Sequence, residues 1–371
     1  MLIRLVAANL KSRSKSIFLI LCFFVVVASA SYAGFAAKWG MRENCYRFTL
    51  ERVLNGSAHR PYVYRQLVPA IANFITENIP KKIVTTVSQA YKYGPFRYYS
   101  NADANLNKFS DEYKFKWIIV YWIGFFSLLA SLFFLREILK ILGFIDIVST
   151  LAPSIFVLCL PIIQSNGGFY YDFTELFFIL LCIFLILKKH YLLCFPVVVL
   201  GAFNKETFFL FLPTLYPFLS SILTPKKKII FLGMLIAASL SINLFLKKIY
   251  TSNPGDVIEW HLLSNLKQYI SPYTYIQFDD SYGMFLPRGF NILILALIFI
   301  LVKSGWKKLT PTLKQHAIIA LMINYPLFLF FGIHIETRGL SFLYFPCVFL
   351  IAHALVSFHE KSIRGTTLRA N

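Results

Sequence analysis

Apolar runs recur along this chain, many of them approaching or reaching the ~17–25 residues that cross a bilayer as helix. No other feature constrains the fold as strongly. A segment surrounded by hydrocarbon must satisfy its own backbone hydrogen bonds, and a helix does so. Of the 371 residues, 57% are hydrophobic and only 15% charged, against roughly 25% charged in soluble domains. The expectation is an all-α, polytopic transmembrane bundle, a single membrane domain over 1–371. Ten spans are read at about 17–37, 117–135, 144–163, 172–187, 190–203, 206–222, 229–247, 288–303, 315–333 and 339–357. The fifth ends at Phe203, just before Asn204-Lys205-Glu206.

The basic residues set the orientation. With the N-terminus in the cytoplasm, every cytoplasmic segment is basic, from Lys11, Arg13 and Lys15 through Lys226-Lys227-Lys228 to Lys361 and Arg364. The short outer loops hold almost nothing basic except Lys205 and Arg338. This is the positive-inside pattern. It accounts for the formal charge of +20 without a nucleic-acid partner, for which no motif is present. The first apolar run follows a basic stretch and continues to Ala37, long enough for a signal anchor. A multi-pass membrane protein with both termini cytoplasmic is expected. Five of the six cysteines lie in apolar runs, so neither a disulfide framework nor a cysteine metal site is expected. The seven histidines show no zinc-type spacing.

Two outer loops are large, 38–116 and 248–285. In the first, Tyr46, Leu50 and Val53-Leu54 recur at helical spacing until Asn55-Gly56-Ser57. Tyr62 to Ile79 then reads as an amphipathic helix lying in the headgroup region, and 91–116 as an irregular segment. Fourteen of the seventeen acidic residues fall on this outer side; only Glu137, Asp146 and Glu360 do not.

Polar clusters gather at the outer ends of spans: Arg42-Glu43, Asn166 to Asp172 with Glu175, Asn204-Lys205-Glu206, and His334-Ile335-Glu336-Thr337-Arg338. Ionisable groups there are costly against lipid and so face a cavity or a partner. Each cluster also has a plainer reading. Lys205–Glu206 and Glu336–Arg338 could be neutralised local pairs, Asp172 a helix cap, and Glu43 a solvated side chain. Arg60-Pro61-Tyr62-Val63-Tyr64-Arg65 sets two arginines around tyrosines, either as a phosphate clamp or as interfacial anchors. Asp279-Asp280 could hold a divalent cation through oxygen ligands or be a solvated loop pair.

This arrangement resembles the GT-C class of integral-membrane glycosyltransferases, which have a large first extracytoplasmic loop with interfacial helices and an acid near its start. Arg60 to Pro69 resembles a "PxxYRxLxP" stretch of GT-C-like bacterial proteins. Asn204-Lys205-Glu206-Thr207 with Leu210 to Pro213 resembles their "R/K-E-T…LLP" turn, and Glu336-Thr337-Arg338 their "E-x-R". The chain departs from the class in offering Glu43 where an Asp is usual. The resemblance implies transfer of a hexose or pentose from a polyprenyl-phosphate donor to a glycan or lipid acceptor at the outer face. It implies Glu43 as general base, with Asp172 as its competitor. Arg60, Arg65, Lys205 and Arg338 would contact phosphate, with Glu206 and Glu336 orienting them. Tyr62, Tyr64 and Tyr170 would stack on sugar or line the groove, and Glu175 and His334 would join the residues that bind substrate or phosphate. No cofactor is required, although a divalent cation fits the chemistry. A polysaccharide polymerase or ligase, a flippase for lipid-linked substrates, an acyltransferase using His334, and an inactive GT-C-like protein remain alternatives.

Overall fold

The computed structural model describes residues 2–42, 45–91, 109–164, 167–220, 223–279 and 285–367. Glu43, Asn166 and Asp280 lie outside these, as does 92–108 within the segment expected to be irregular. The first half of the chain forms α1 (Leu2–Trp39), α2 (Leu50–Leu54), α3 (Leu67–Asn78), α4 (Lys81–Tyr91), α5 (Asp111–Ile141), α6 (Asp146–Leu158), α7 (Leu160–Ile163) and α8 (Tyr170–Leu187). The second half forms α9 (Cys194–Asn204), α10 (Phe208–Phe211), α11 (Pro225–Ile249), α12 (Leu262–Ile270), α13 (Ile292–Gly305), α14 (Pro311–Phe331) and α15 (Tyr344–Thr367). Two short strands, β1 (Phe278–Asp279) and β2 (Leu286–Pro287), pair antiparallel, with Phe278 opposite Pro287.

Seven helices are long and apolar enough to cross a membrane, and the chain is a multi-pass membrane protein. They are Ser16–Trp39, Asp111–Ile141, Asp146–Ile163, Tyr170–Leu187, Pro225–Ile249, Pro311–Phe331 and Thr337–Phe358. The spans expected at 190–203, 206–222 and 288–303 correspond to shorter elements, Tyr191–Asn204, Phe208–Phe218 and Ile292–Gly305. At ~1.5 Å per residue these fall short of a ~30 Å hydrocarbon core. Hydropathy alone does not separate a short apolar helix from a full span.

The centre of the bundle is α8. From Phe173 to Leu187 its sequence is apolar on every side apart from Thr174 and Glu175, the mark of a helix enclosed by protein. Its span is 72% buried, against 28% for α1 and α11, so α8 is the interior helix and the other two flank lipid. It packs against α5 and α9, while α15 packs on α6 and α13. Side chains such as Phe18, Leu19 and Val26 of α1 and Phe299 and Ile300 of α13 are exposed, as lipid-facing positions require. Where α1 crosses α5, the buried Tyr32 donates its hydroxyl to the Tyr121 carbonyl at 2.9 Å. Only a glycine fits beneath it, since a Cβ on Gly124 would overlap the Tyr32 oxygen.

The first loop caps one end of this bundle. Leu50 and Leu54 of α2 and Val68 and Ala72 of α3 are buried with Trp117 and Val120 of α5 and with Phe169 and Tyr171 at the start of α8. Phe74 and Ile71, on the other side of α3, are exposed, as an interfacial helix requires. The helix expected over Tyr62–Ile79 is broken, however. Tyr62–Tyr64 is a 3-10 turn, and the α-helix begins at Leu67. The expected irregular segment ends earlier than 116. Ser110 accepts the Tyr113 N–H at 3.2 Å and starts α5 at Asp111. The charges of its first turn hide that start from a hydropathy reading.

The second loop is clipped to the first. Asn253 donates to the carbonyls of Gly56 (2.8 Å) and Ala58 (2.9 Å). Asn265 of α12 donates to Leu329 and Gly332 at the end of α14, both at 2.8 Å. That leaves Leu263, Leu266 and Ile270, one apolar stripe of α12, exposed beside the end of a membrane-crossing helix. Asp279 is buried and ion-paired to Lys38, which corrects its reading as half of a solvated pair. At the opposite end of the bundle, Glu137 and Asp146 both contact Arg136, at 2.8 and 3.2 Å.

The Tyr32–Gly124 contact is testable by a double-mutant cycle. Gly124→Ala is expected to cost about 1–3 kcal/mol through overpacking, and measurably less in a Tyr32→Phe background, where the nearest atom is gone. Thermal unfolding in detergent measures both. Strict additivity would show that the helix crossing does not depend on this contact.

Candidate functional site

Three basic side chains from three separate elements converge on the first turns of α8. Arg65 follows the 3-10 turn of the first loop. Its Nη1 donates to the Tyr171 hydroxyl, and its guanidinium lies 4.4 Å from the centre of that ring. Lys205 follows α9, and its Nζ donates to Glu175 Oε2 at 2.6 Å. Arg338 precedes α15, and its Nη1 donates to Asp172 Oδ1 at 3.0 Å. The three cations are enclosed, with only 9% or 10% of each side chain exposed. Charges so enclosed require partners.

Local sequence fixes each contributor. Asp172 Oδ2 accepts the Phe169 N–H at 3.0 Å, so Asp172 caps α8 and binds Arg338 with its other oxygen. Asn204 donates to the Tyr171 carbonyl at 3.1 Å, tying the α9 end to α8. Asn324 of α14 donates to the Gly339 carbonyl (2.9 Å) and accepts the Phe342 N–H (3.0 Å), which holds the 3-10 segment Thr337–Leu343 in place. Thr337 donates to the Ile163 carbonyl at 2.7 Å. Gly167 permits the close approach of Glu336, since a Cβ on it would stand 2.7 Å from Glu336 Oε1.

The expected local pairs are partly exchanged. Lys205 and Glu206 are neighbours in sequence but do not neutralise each other. Glu206 instead accepts from Arg65 in a two-pronged pair, at 3.0 Å from Nε and 2.7 Å from Nη2. Glu336 and Arg338 do pair, Arg338 Nε donating to Glu336 Oε1 at 3.0 Å. Burial opposes the Arg65 charge, but Glu206 and then Tyr171 outweigh it and hold its pKa well above the ordinary value. Burial likewise opposes the Glu206 carboxylate, yet Arg65 outweighs it and holds that pKa below the usual carboxylate range.

Beside this network lies a cavity of about 470 Å³, a size typical of small-molecule sites. Its lining includes six cations, Arg42, Arg47, Arg65, Lys205, Lys247 and Arg338, and three carboxylates, Glu206, Glu259 and Glu336. Phe209, Leu210, Leu327, Phe328, Phe331 and Phe342 supply apolar surface. Arg47 pairs with Glu259, which joins the two large loops across the lining. Arg42 and Lys247 have no carboxylate partner among the described residues. The Arg42 guanidinium lies over the rings of Trp39, Phe169 and Phe48, at 4.7, 5.1 and 5.3 Å. Burial, and then the nearby Arg338 charge, push its pKa down from the ordinary value.

Of the residues expected at the site, Tyr62, Tyr64, Arg65, Lys205, Glu206, Glu336 and Arg338 line this cavity. Asp172 and Glu175 stand behind it, each engaged with a lining cation. Asp172 has both oxygens occupied and is not in the lining, which argues against it as a base. Arg60 is also absent from the lining; its Nη2 donates to the Gly255 carbonyl at 2.7 Å and clips the loops together. Tyr170 is buried in the core beneath the first loop. His334 lies outside the lining, its pKa lowered by burial and by Arg288. Glu43 lies outside the described residues, next in sequence to the lining residue Arg42. Among the described residues there is no group of three or more His, Cys, Asp or Glu side chains placed to hold a metal ion. Arg47 and Lys247 were not expected at the site, because each sits in an ordinary loop or helix-end context. Tyr171 was also missed; its signal was its place between Tyr170 and Asp172. No family model, curated protein or solved structure matches the chain.

The pairing of Arg65 with Glu206 has a defined pH dependence. Because the folded pKa of Glu206 is depressed, its stabilisation is fully present above the unfolded carboxylate range and is lost as pH falls through the folded value. Glu206→Gln is expected to cost roughly 3–5 kcal/mol at pH 7, since it strands the Arg65 charge, and to flatten the loss of stability below about pH 4. Unfolding midpoints of both proteins from about pH 7 to about pH 3 measure this. Parallel profiles would contradict it.

Proposed function

We propose that this protein is a GT-C-like glycosyltransferase that moves a sugar from a polyprenyl-phosphate donor to a glycan or lipid acceptor. The observation that carries the reading is the cavity's composition: six cations and a phenylalanine-rich surface share about 470 Å³ at one end of a membrane bundle. A phosphate attached to a lipid needs both kinds of surface. Arg supplies planar, charge-assisted donors to phosphate oxygens, and the apolar side accepts hydrocarbon. Arg42 and Lys247, the lining cations without carboxylate partners among the described residues, are the first candidates for the donor phosphate. Arg65, Lys205 and Arg338 contribute positive potential from fixed positions, so little reorganisation accompanies charge development on the leaving phosphate.

Glu43 is the proposed general base for the attacking hydroxyl. Its sequence neighbour Arg42 lines the cavity, and the three lining carboxylates are each committed to a cation. The distribution of basic loops supports a cavity that faces outward with the termini in the cytoplasm, and the GT-C resemblance supports a bacterial inner membrane. Against a flippase, the Asp, Glu, Lys and Arg residues of the described spans stand near helix ends rather than through their depth.

The reading is tested with purified protein in lipid nanodiscs, assayed for transfer from synthetic polyprenyl-phosphate sugars. Glu43→Gln is expected to lower kcat by at least about 100-fold. Arg42→Gln strands no carboxylate among the described residues and is expected to weaken use of the donor by about tenfold or more. Full activity of Glu43→Gln would remove the assigned base. Absence of transfer from every polyprenyl-phosphate sugar offered would remove the reading itself.

A further inference from the structure

A second concave surface lies on the flank of the bundle, away from the cavity. It is a groove of about 360 Å³ between α11, α14 and the 3-10 segment Leu212–Phe218. Ile229, Leu232, Gly233 and Ile236 of α11 form one side, with Tyr216 and Ile319 across from them. The groove lies beside Phe208–Phe218, a segment shorter than the flanking helices α11 and α14. Gly233 deepens it, for a Cβ there would meet nothing within 4 Å.

Charge stands at the mouth of this groove. Residues three and four apart share a helix face, so Lys226 continues the line of Ile229, Gly233 and Ile236, and Lys228 that of Leu232 and Ile236. Lys228 Nζ lies 5.4 Å from the centre of the Tyr216 ring, which places a cation directly over a groove residue. Neither lysine has a carboxylate partner among the described residues. They sit in the first turn of α11, where the helix dipole already favours an anion over a cation. The cavity residues Asn243 and Lys247 belong to the far end of the same helix, about 22 and 28 Å from Lys228 along its axis.

We propose that this groove is a binding site for an anionic phospholipid, with an acyl chain along Ile229–Ile236 and the phosphate on Lys226 and Lys228. The chain would cover the exposed side of Ile229, and the phosphate would offset charges that repel one another and the helix end. Basic pockets between membrane helices select anionic headgroups by this combination. The site is independent of the transferase reading.

The test uses purified full-length protein in detergent containing phosphatidylglycerol or phosphatidylcholine, with retained lipid counted by native mass spectrometry. Phosphatidylglycerol is expected to be retained at least about tenfold over phosphatidylcholine. Lys226→Gln with Lys228→Gln should abolish that preference, while Lys307→Gln with Lys308→Gln, which removes equal charge from another basic segment, should leave it. Gly233→Leu enters open space on a helix and should fold normally, yet lower retention of both lipids. Equal retention of the two lipids by the unaltered protein would overturn the proposal. So would a full preference in the Lys226/Lys228 variant, or undiminished retention in Gly233→Leu.

Discussion

Charge near a membrane interior must be partnered, and the start of α8 is where this protein meets that requirement. Tyr171, Asp172 and Glu175 receive Arg65, Arg338 and Lys205, which come from the first loop, the segment before α15 and the turn after α9. Helix α8 is also the most enclosed of the seven long helices. The acids are therefore fixed to the most enclosed helix of the bundle, and the three cations are drawn to it. In a low-dielectric setting a lone member of any pair would cost several kcal/mol. Segments distant in sequence are thus brought together by electrostatic necessity as well as by packing.

The cavity follows from that convergence. Arg65, Lys205 and Arg338 turn toward α8, and what they leave beside them is a chamber walled by their own flanks, by Glu206 and Glu336, and by phenylalanines of α14 and its neighbours. The Arg47–Glu259 pair joins the two large loops across its lining, and the contacts of Asn253 and Arg60 clip the same loops together elsewhere. Pairing consumes most of the lining charge. Arg42 and Lys247 are the exceptions among the described residues. Because neither has a carboxylate partner among the described residues, each can be substituted without stranding a described acid.

Much of this was legible in the sequence. Asp172, Glu175, Lys205, Glu206, Glu336 and Arg338 stood out as ionisable groups at span ends, and physical cost implied that they face partners or a cavity. Who pairs with whom was not legible. Lys205 and Glu206 are adjacent, yet an extended backbone at Lys205 (φ −153°, ψ 128°) sends the two side chains to different partners, Glu175 and Arg65. Arg60 and Arg65 looked equivalent around their tyrosines, but only the structure separates a clip to Gly255 from a cavity residue. Periodicity found the apolar runs and not their reach. Tyr191–Asn204 and Phe208–Phe218 read as spans because composition carries no length requirement, and α5 began earlier than expected because its first turn is charged.

Cations from separate segments are held by the first turns of α8, and a charge exchange between Lys205 and Glu175 tests this dependence most directly. The two lie in contact at 2.6 Å and 30 positions apart in sequence. Glu175→Lys alone places two buried cations together and is expected to lower the unfolding midpoint sharply or prevent folding. Glu175→Lys combined with Lys205→Glu restores opposite charges and is expected to recover much of the midpoint in detergent. A combined variant as unstable as the single one would contradict the dependence of the fold on this pairing.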